Sequence, residues 1–408
     1  MTHNRWYLFA SLLVAAAVLL GACAPATSSP GGSAKSPIKI GLLQDLTGPM
    51  AVTGIGGNKG VDIYLENMKF EVAGRQIEVI KEDSKTDPKT ALERAKKLVE
   101  LDKVNLIAGI TNSGSAIAVK GYVNEVKAPY VSMTMAGAEA LTLDNPSPYV
   151  FRTTYADGQT EFSTGRYLSE KLGYKKAVTL VTDYVGGWGK GWAFKTGFEQ
   201  AGGKVIQELF SPIGEMDFAS YITQMNPGAD VVWAFFPDEG MLRFPKQYAE
   251  MGMLKKVPMS GYFNLAADRD NLPVLKDSAL GFISSTWYNP YCDTEENKLF
   301  QKLHQAKYGV MGDIFEESGW RGMAFITSAL KSVNGNIEDT DKFLKALSTT
   351  KINGPCGPLS LDENRNIVQD IMLQKVEKVG DKYQNKVMDT FKQVRQPPAG
   401  TTINPNKK

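Results

Sequence analysis

The segment best suited to chemistry is Thr111-Asn112-Ser113-Gly114-Ser115, where hydroxyls and small residues sit between an apolar run and an amphipathic stretch. Backbone N–H groups at a helix start, backed by hydroxyls, suit an anion such as a carboxylate. The same residue types also make a plain helix cap, so two readings stand. Val185-Gly186-Gly187-Trp188-Gly189 offers glycines that let backbone approach closely and an indole with a flat face. Phe235 and Phe236 end an apolar run, and are either a pocket wall or a buried strand end. Enzyme chemistry finds little support. The histidines are His3 and His304, which argues against a histidine metal site or a Ser-His-Asp triad. No nucleophile with a base and no paired carboxylates stand out. Gly54-Ile55-Gly56-Gly57-Asn58-Lys59-Gly60 has neither P-loop nor dinucleotide spacing and reads as loop backbone. No cofactor or metal is expected.

Such residues need elements to position them. Residues 38–43 form a short apolar strand, followed by loop signals at Thr47-Gly48-Pro49 and Gly54–Gly57 and a helical pattern over 58–68. Strands are expected at 77–81, 104–108, 130–132, 177–182, 205–210 and 230–235, with helices at 160–172, 192–201, 218–225 and 241–251 between the later ones. Asp87-Pro88 reads as an N-cap with proline at the first helical position. Strands alternating with amphipathic helices predict an α/β chain of parallel sheets covered on both faces. The units are too many for one compact sheet, so two lobes are expected. In such sheets ligands sit beyond the carboxyl ends of strands.

The chain has 408 residues and a formal net charge of +2, which gives no reason to expect nucleic acid as a partner. Arg5, the uncharged run 8–20 and small residues before Cys23 form a secretory signal, too short to span a bilayer comfortably. Leu20-Gly21-Ala22-Cys23 is similar to the bacterial lipobox, in which the cysteine thiol is acylated. Residues 1–22 are then the signal and 23–37, rich in Pro, Gly and Ser, a flexible tether. In an exported, oxidising setting Cys292 and Cys356 are either a disulfide or two separate buried thiols.

The order and spacing of Ile38-Lys39-Ile40-Gly41, Thr47-Gly48-Pro49, Asp83 with Asp87-Pro88, Gly109 to Ser113, Phe151-Arg152-Thr153 and Gly357-Pro358-Leu359 resemble the type I periplasmic binding proteins of branched-chain amino acid transport, over about 38–376. The resemblance implies two Rossmann-like lobes joined by a three-strand hinge, with the ligand in the cleft between them. Carried onto this chain, one lobe covers 38–156 and 287–352 and the other 157–286 and 357–391, leaving a tail at 392–408. It implies capture by hinge closure and delivery to the permease of an ABC transporter, with no catalysis. The protein would be a monomer, lipid-anchored to the cell membrane or outer membrane and facing the periplasm or exterior. Sensing for a chemoreceptor or kinase, or binding of an amide or urea, fits the same resemblance.

By the same resemblance, Asn112, Ser113, Ala136 and Gly137 meet a ligand carboxylate, with Gly137 acting through backbone. Asp157 matches an acidic position that receives an ammonium, or else caps a hinge helix. Trp188, Phe235 and Phe236 wall the pocket. Amino-acid binders of the family place a glutamate for the α-ammonium where this chain has Tyr262. An ammonium unpaired in a closed pocket is costly. The expected ligand is therefore an aromatic or aliphatic carboxylate, unless Asp157 alone serves a branched-chain amino acid.

Overall fold

The computed structural model describes residues 36–262 and 269–406. Cys23, with the signal and tether, lies outside the described residues apart from Ser36 and Pro37.

The first half builds β1 (Ile38–Gln44), α1 (Ala51–Asn67), the hairpin β2 (Glu71–Val72) and β3 (Arg75–Asp83), α2 (Pro88–Lys96), β4 (Leu106–Gly109), α3 (Ser113–Val126), β5 (Tyr130–Ser132) and β6 (Val150–Arg152). These strands make a six-stranded sheet in the order β2-β3-β1-β4-β5-β6, parallel except for the hairpin. Ile38, Ile40 and Leu42 face one core and Leu43 the other, so both faces are covered, as a parallel sheet requires. Asp87 caps α2 by accepting from the Thr90 N–H at 2.7 Å, with Pro88 in the first turn where a missing N–H costs nothing.

The middle of the chain builds a second sheet: α4 (Gln159–Glu170), β7 (Lys176–Thr182), α5 (Val185–Gln200), β8 (Lys204–Ser211), α6 (Ala219–Gln224), β9 (Val231–Phe235), α7 (Gly240–Glu250), β10 (Met259–Gly261) and β11 (Ile283–Thr286). The strands β8-β7-β9-β10-β11 run parallel. The chain then returns to the first sheet with α8 (Glu295–Tyr308), α9 (Ile314–Ser332) and α10 (Thr340–Thr349). Met323, Ile326 and Leu330 of α9 pack on Val61 and Leu65 of α1. Last come β12 (Ile352–Gly354), β13 (Gly357–Leu361), β14 (Ile367–Val379) and β15 (Lys382–Val394), which extend the second sheet to nine strands. This extension is antiparallel, a departure from the all-parallel expectation. The turn at Gly380 (φ 61°) between β14 and β15 is too short for anything but a hairpin.

Two glycine-rich stretches are helical, of which the first reads as loop backbone in the sequence. Gly54 to Gly60 lies inside α1, because α9 passes there in backbone contact. A Cβ on Gly60 would stand 1.8 Å from the Glu316 carbonyl oxygen, and one on Gly319 2.0 Å from that of Gly57. Val185 to Gly189 is the first turn of α5. Periodicity missed both, because a glycine face carries no apolar signal.

Cys292 and Cys356 form a disulfide across 64 positions, tying the start of α8 to the β12–β13 turn. The chain end is a strap. Gln396 Oε1 accepts from Arg152 Nη2 at 3.0 Å, and the buried Glu139 carboxylate accepts from the Gly400 N–H, the Thr402 N–H and the Thr402 hydroxyl at 2.6, 3.1 and 2.6 Å. Thr196 of α5 donates to the Thr401 carbonyl oxygen, so the strap touches helices belonging to both sheets.

Candidate ligand-binding site

The loops after the carboxyl ends of β1, β3 and β4 converge on one buried carboxylate, Asp45. It accepts from the Ser84 hydroxyl at 2.5 Å and from the N–H groups of Thr86, Thr111 and Asn112, each at 2.9 Å. Three loops are thereby fixed, and the start of α3 is aimed outward. Asn112 caps α3, its Oδ1 taking the Ser115 N–H at 2.9 Å. Ser113 begins that helix, and its hydroxyl accepts from the Ala138 N–H at 3.3 Å. Thr111 is 5% exposed, and its hydroxyl has no hydrogen-bond partner among the described residues.

On the facing side, the first turns of α5 carry Lys190, which is 3% exposed. Its Nζ lies 2.5 Å from Asp157 Oδ1. The same ammonium stands 5.1, 5.0 and 5.2 Å from the ring centres of Tyr155, Phe235 and Tyr262. Ring faces carry partial negative charge and attract a cation, more so where water is excluded. Tyr155 is braced from behind by Trp287, stacked at 4.5 Å, and Phe235 meets Tyr262 edge-on at 5.0 Å. Burial raises the phenols of Tyr155 and Tyr262 well above their usual range, so both stay neutral donors. Glu161, whose carboxylate holds the Gly158 N–H at 2.8 Å, is pushed up to about 7 by burial, with Lys190 opposing and Asp157 adding to the rise.

Between these walls lies a cavity of about 470 Å³, bordered by Thr111, Ser113, Tyr155, Lys190, Phe235 and Tyr262, with Met50, Met135, Met241 and Phe315 filling in apolar surface. Asp238 and Glu239 border it at less buried positions. The Asp238 oxygens are occupied by the Gly214 and Gly240 N–H groups at 2.7 and 2.9 Å, and Glu239 is exposed. Among the described residues there is no cluster of side chains fit to hold a metal ion.

Of the residues expected at the site, Ser113, Phe235 and Tyr262 border the cavity and six do not. Asn112 is spent as the cap. Ala136 is fully buried, and the Gly137 carbonyl oxygen is occupied by the Asp157 N–H and by Arg152, both at 2.5–2.8 Å. Gly137 is required sterically, since a Cβ there would sit 2.3 Å from Asp157 Oδ1. Asp157 is paired through Oδ1 with Lys190 and borders a small cleft under the strap rather than the cavity. Trp188 donates its Nε1–H to Asp183 at 2.7 Å and borders the same small cleft. Phe236 points the other way from Phe235, into a cluster with Phe218 and Phe244, as alternation along a strand demands.

Sequence reasoning missed Lys190 and Asp45, while Thr111 lay in the expected anion-suited segment without being singled out. A lone lysine in an otherwise uncharged, glycine-rich helix start was a signal for the first. An acid directly after a strand's carboxyl end was one for the second.

Comparison with known proteins places these features in context. The family model described as periplasmic binding protein matches residues 37–382. A Leu/Ile/Val-binding protein homolog from Brucella suis is 30% identical over 368 residues, covering 88% of this chain and 93% of that protein. An ABC transporter substrate-binding protein from Sphaerobacter thermophilus superposes with a TM-score of 0.84 at 34% identity, over 88% of this chain and 99% of that one. A solute-binding protein of an ABC transporter from Rhodopseudomonas palustris, solved with 3,4-dihydroxybenzoic acid, gives a TM-score of 0.83 at 32% identity over 88% and 99%.

Proposed function

This chain belongs to the type I periplasmic binding proteins of the branched-chain amino acid class, and from that premise we propose that its cleft captures a small carboxylate lacking an amine. It is the extracytoplasmic substrate-binding protein of an ABC transporter and not an enzyme. The observation that carries the ligand reading is the Asp157–Lys190 pair. The acid that could have received an ammonium is already engaged by a cation, and Tyr262 stands where an ammonium-binding glutamate is expected. The ligand carboxylate goes to Thr111, Ser113 and the start of α3, and its apolar body lies against Tyr155, Phe235 and the methionines. The Rhodopseudomonas neighbour's aromatic acid supports this reading. A branched-chain amino acid is the second reading, supported by the names of the Brucella relatives.

The two sheets with their helices act as lobes, 38–156 with 287–352 and 157–286 with 357–391, that close on the ligand about the hinge. The closed monomer delivers it to the permease. Cys23 carries the lipid that keeps the protein at the membrane surface. Titration calorimetry with benzoate, a branched alkanoate, leucine and valine tests the ligand class. Binding of the acids with none for the amino acids is expected. Tight leucine or valine binding with none for the acids would overturn it.

A further inference from the structure

Arg269 lies between β10 and β11 of the second sheet, and its guanidinium reaches groups that belong with the first. Nη1 donates to the Met311 carbonyl oxygen at 3.1 Å and to Glu316 Oε1 at 2.9 Å. Glu316 sits in the first turn of α9, the helix that packs on α1. Asp270 takes the opposite edge of the guanidinium, accepting from Nε and Nη2 at 2.8 and 2.7 Å. The arginine is thus oriented from its own side and presents Nη1 to the other. The Glu316 side chain is 1% exposed, against 20% for Arg269. Its Oε2 accepts from the Asp313 N–H at 3.0 Å, and His304 Nε2 lies 3.8 Å from Oε1.

Hinge opening would part Arg269 from Glu316, so the pair stabilises the closed form over the open one. A buried carboxylate opposes closure unless a cation meets it, and Arg269 supplies that cation. Neither residue borders the cavity, whereas Phe315, next to Glu316, does. The turn of α9 that meets the ligand therefore also carries the pair.

We propose that Arg269 and Glu316 form a closure latch, which slows release of the ligand without selecting it. This rests on the hinge-closure reading above and is independent of the ligand's chemical class.

Stopped-flow kinetics with benzoate and with leucine test it, on the unaltered protein, Arg269→Met and Arg269→Met/Glu316→Gln, alongside small-angle scattering of each protein with and without those compounds. Arg269→Met leaves Glu316 without its cation. Its dissociation rate for whichever compound binds should rise about tenfold to thirtyfold, with little change in association rate. The double variant strands no buried charge and should recover part of the loss, releasing about threefold to tenfold faster than the unaltered protein. Without ligand, Arg269→Met should have the larger radius of gyration. A merely structural pair would lower the melting temperature and leave rates and radii alone. Unchanged rates and radii in the variants, while the unaltered protein contracts on binding, overturn the latch and keep hinge closure. No contraction of the unaltered protein with a compound that binds it overturns both. If neither compound binds, equal ligand-free radii overturn the latch. Should Arg269→Met not fold, Glu316→Gln, which keeps an acceptor for the Asp313 N–H, takes its place, with faster release expected and an unchanged rate counting against the latch.

Discussion

Glu139→Ala should release the chain end, by an amount that can be worked from the contacts. The carboxylate is 4% exposed and accepts three hydrogen bonds from the strap. Each bond to a charged acceptor contributes about 1.5–3 kcal/mol, but once two are gone the strap lifts and water satisfies the freed donors. The net loss is then the docking energy of the strap, about 2–4 kcal/mol. For a folded body of roughly 370 residues, an unfolding entropy of about 2.1 cal/mol/K per residue turns this into a fall in melting temperature of about 3–5 °C. Glu139→Gln keeps one carbonyl acceptor and should lose about half as much. Calorimetry gives the temperature, and limited proteolysis gives an independent readout, with new cutting between 396 and 406 in the alanine variant. A melting point within 1 °C of the parent, together with unchanged resistance to cutting, would refute the idea that Glu139 holds the strap.

Two further outcomes are expected. Glu161 has its folded-state value raised to about 7, so the folded protein binds one more proton than the unfolded chain between about 4.5 and 7. The stability it contributes is complete below the unfolded value and is lost as pH rises through 7, up to about 3 kcal/mol. Glu161→Gln keeps an acceptor for the Gly158 N–H and should flatten this slope in denaturant midpoints measured from pH 5 to 8, whereas an unchanged slope would count against it. Reducing the Cys292–Cys356 bond, or replacing both cysteines by serine, frees a 64-residue span and should lower stability by about 4 kcal/mol on the chain-entropy account, a drop near 5 °C in the melt. An identical melt with and without reductant would show that the bond adds nothing.

The sequence by itself determined much of the scaffold. Alternating apolar runs and amphipathic stretches identified β1, β5 and β7 to within a residue or two, because burial on both sheet faces leaves unbroken apolar strands. Asp87-Pro88 marked the start of α2, since a capping oxygen and a missing N–H are local requirements. Ser113 was legible for a similar reason, as it begins a helix after a strand, whereas Tyr262 stood out only through the family resemblance, which implies an acid at that position.

What only the tertiary structure decided depends on partners far apart in the chain. Lys190 reads as an ordinary lysine until Asp157, 33 positions earlier, and rings from three other elements close around it. Asp157 read as an ammonium receiver or a hinge-helix cap for the same reason, since its partner Lys190 lies 33 positions on. Phe236 and Phe235 are adjacent and chemically identical, and only the sheet's pleat sends one to the cavity and the other to the core. The glycines of α1 carry no side-chain pattern at all, and their meaning comes from α9, more than 250 positions later, crossing within backbone contact. Local sequence fixes what a segment prefers to be, while the charge state and orientation of a buried group belong to whatever the fold brings against it.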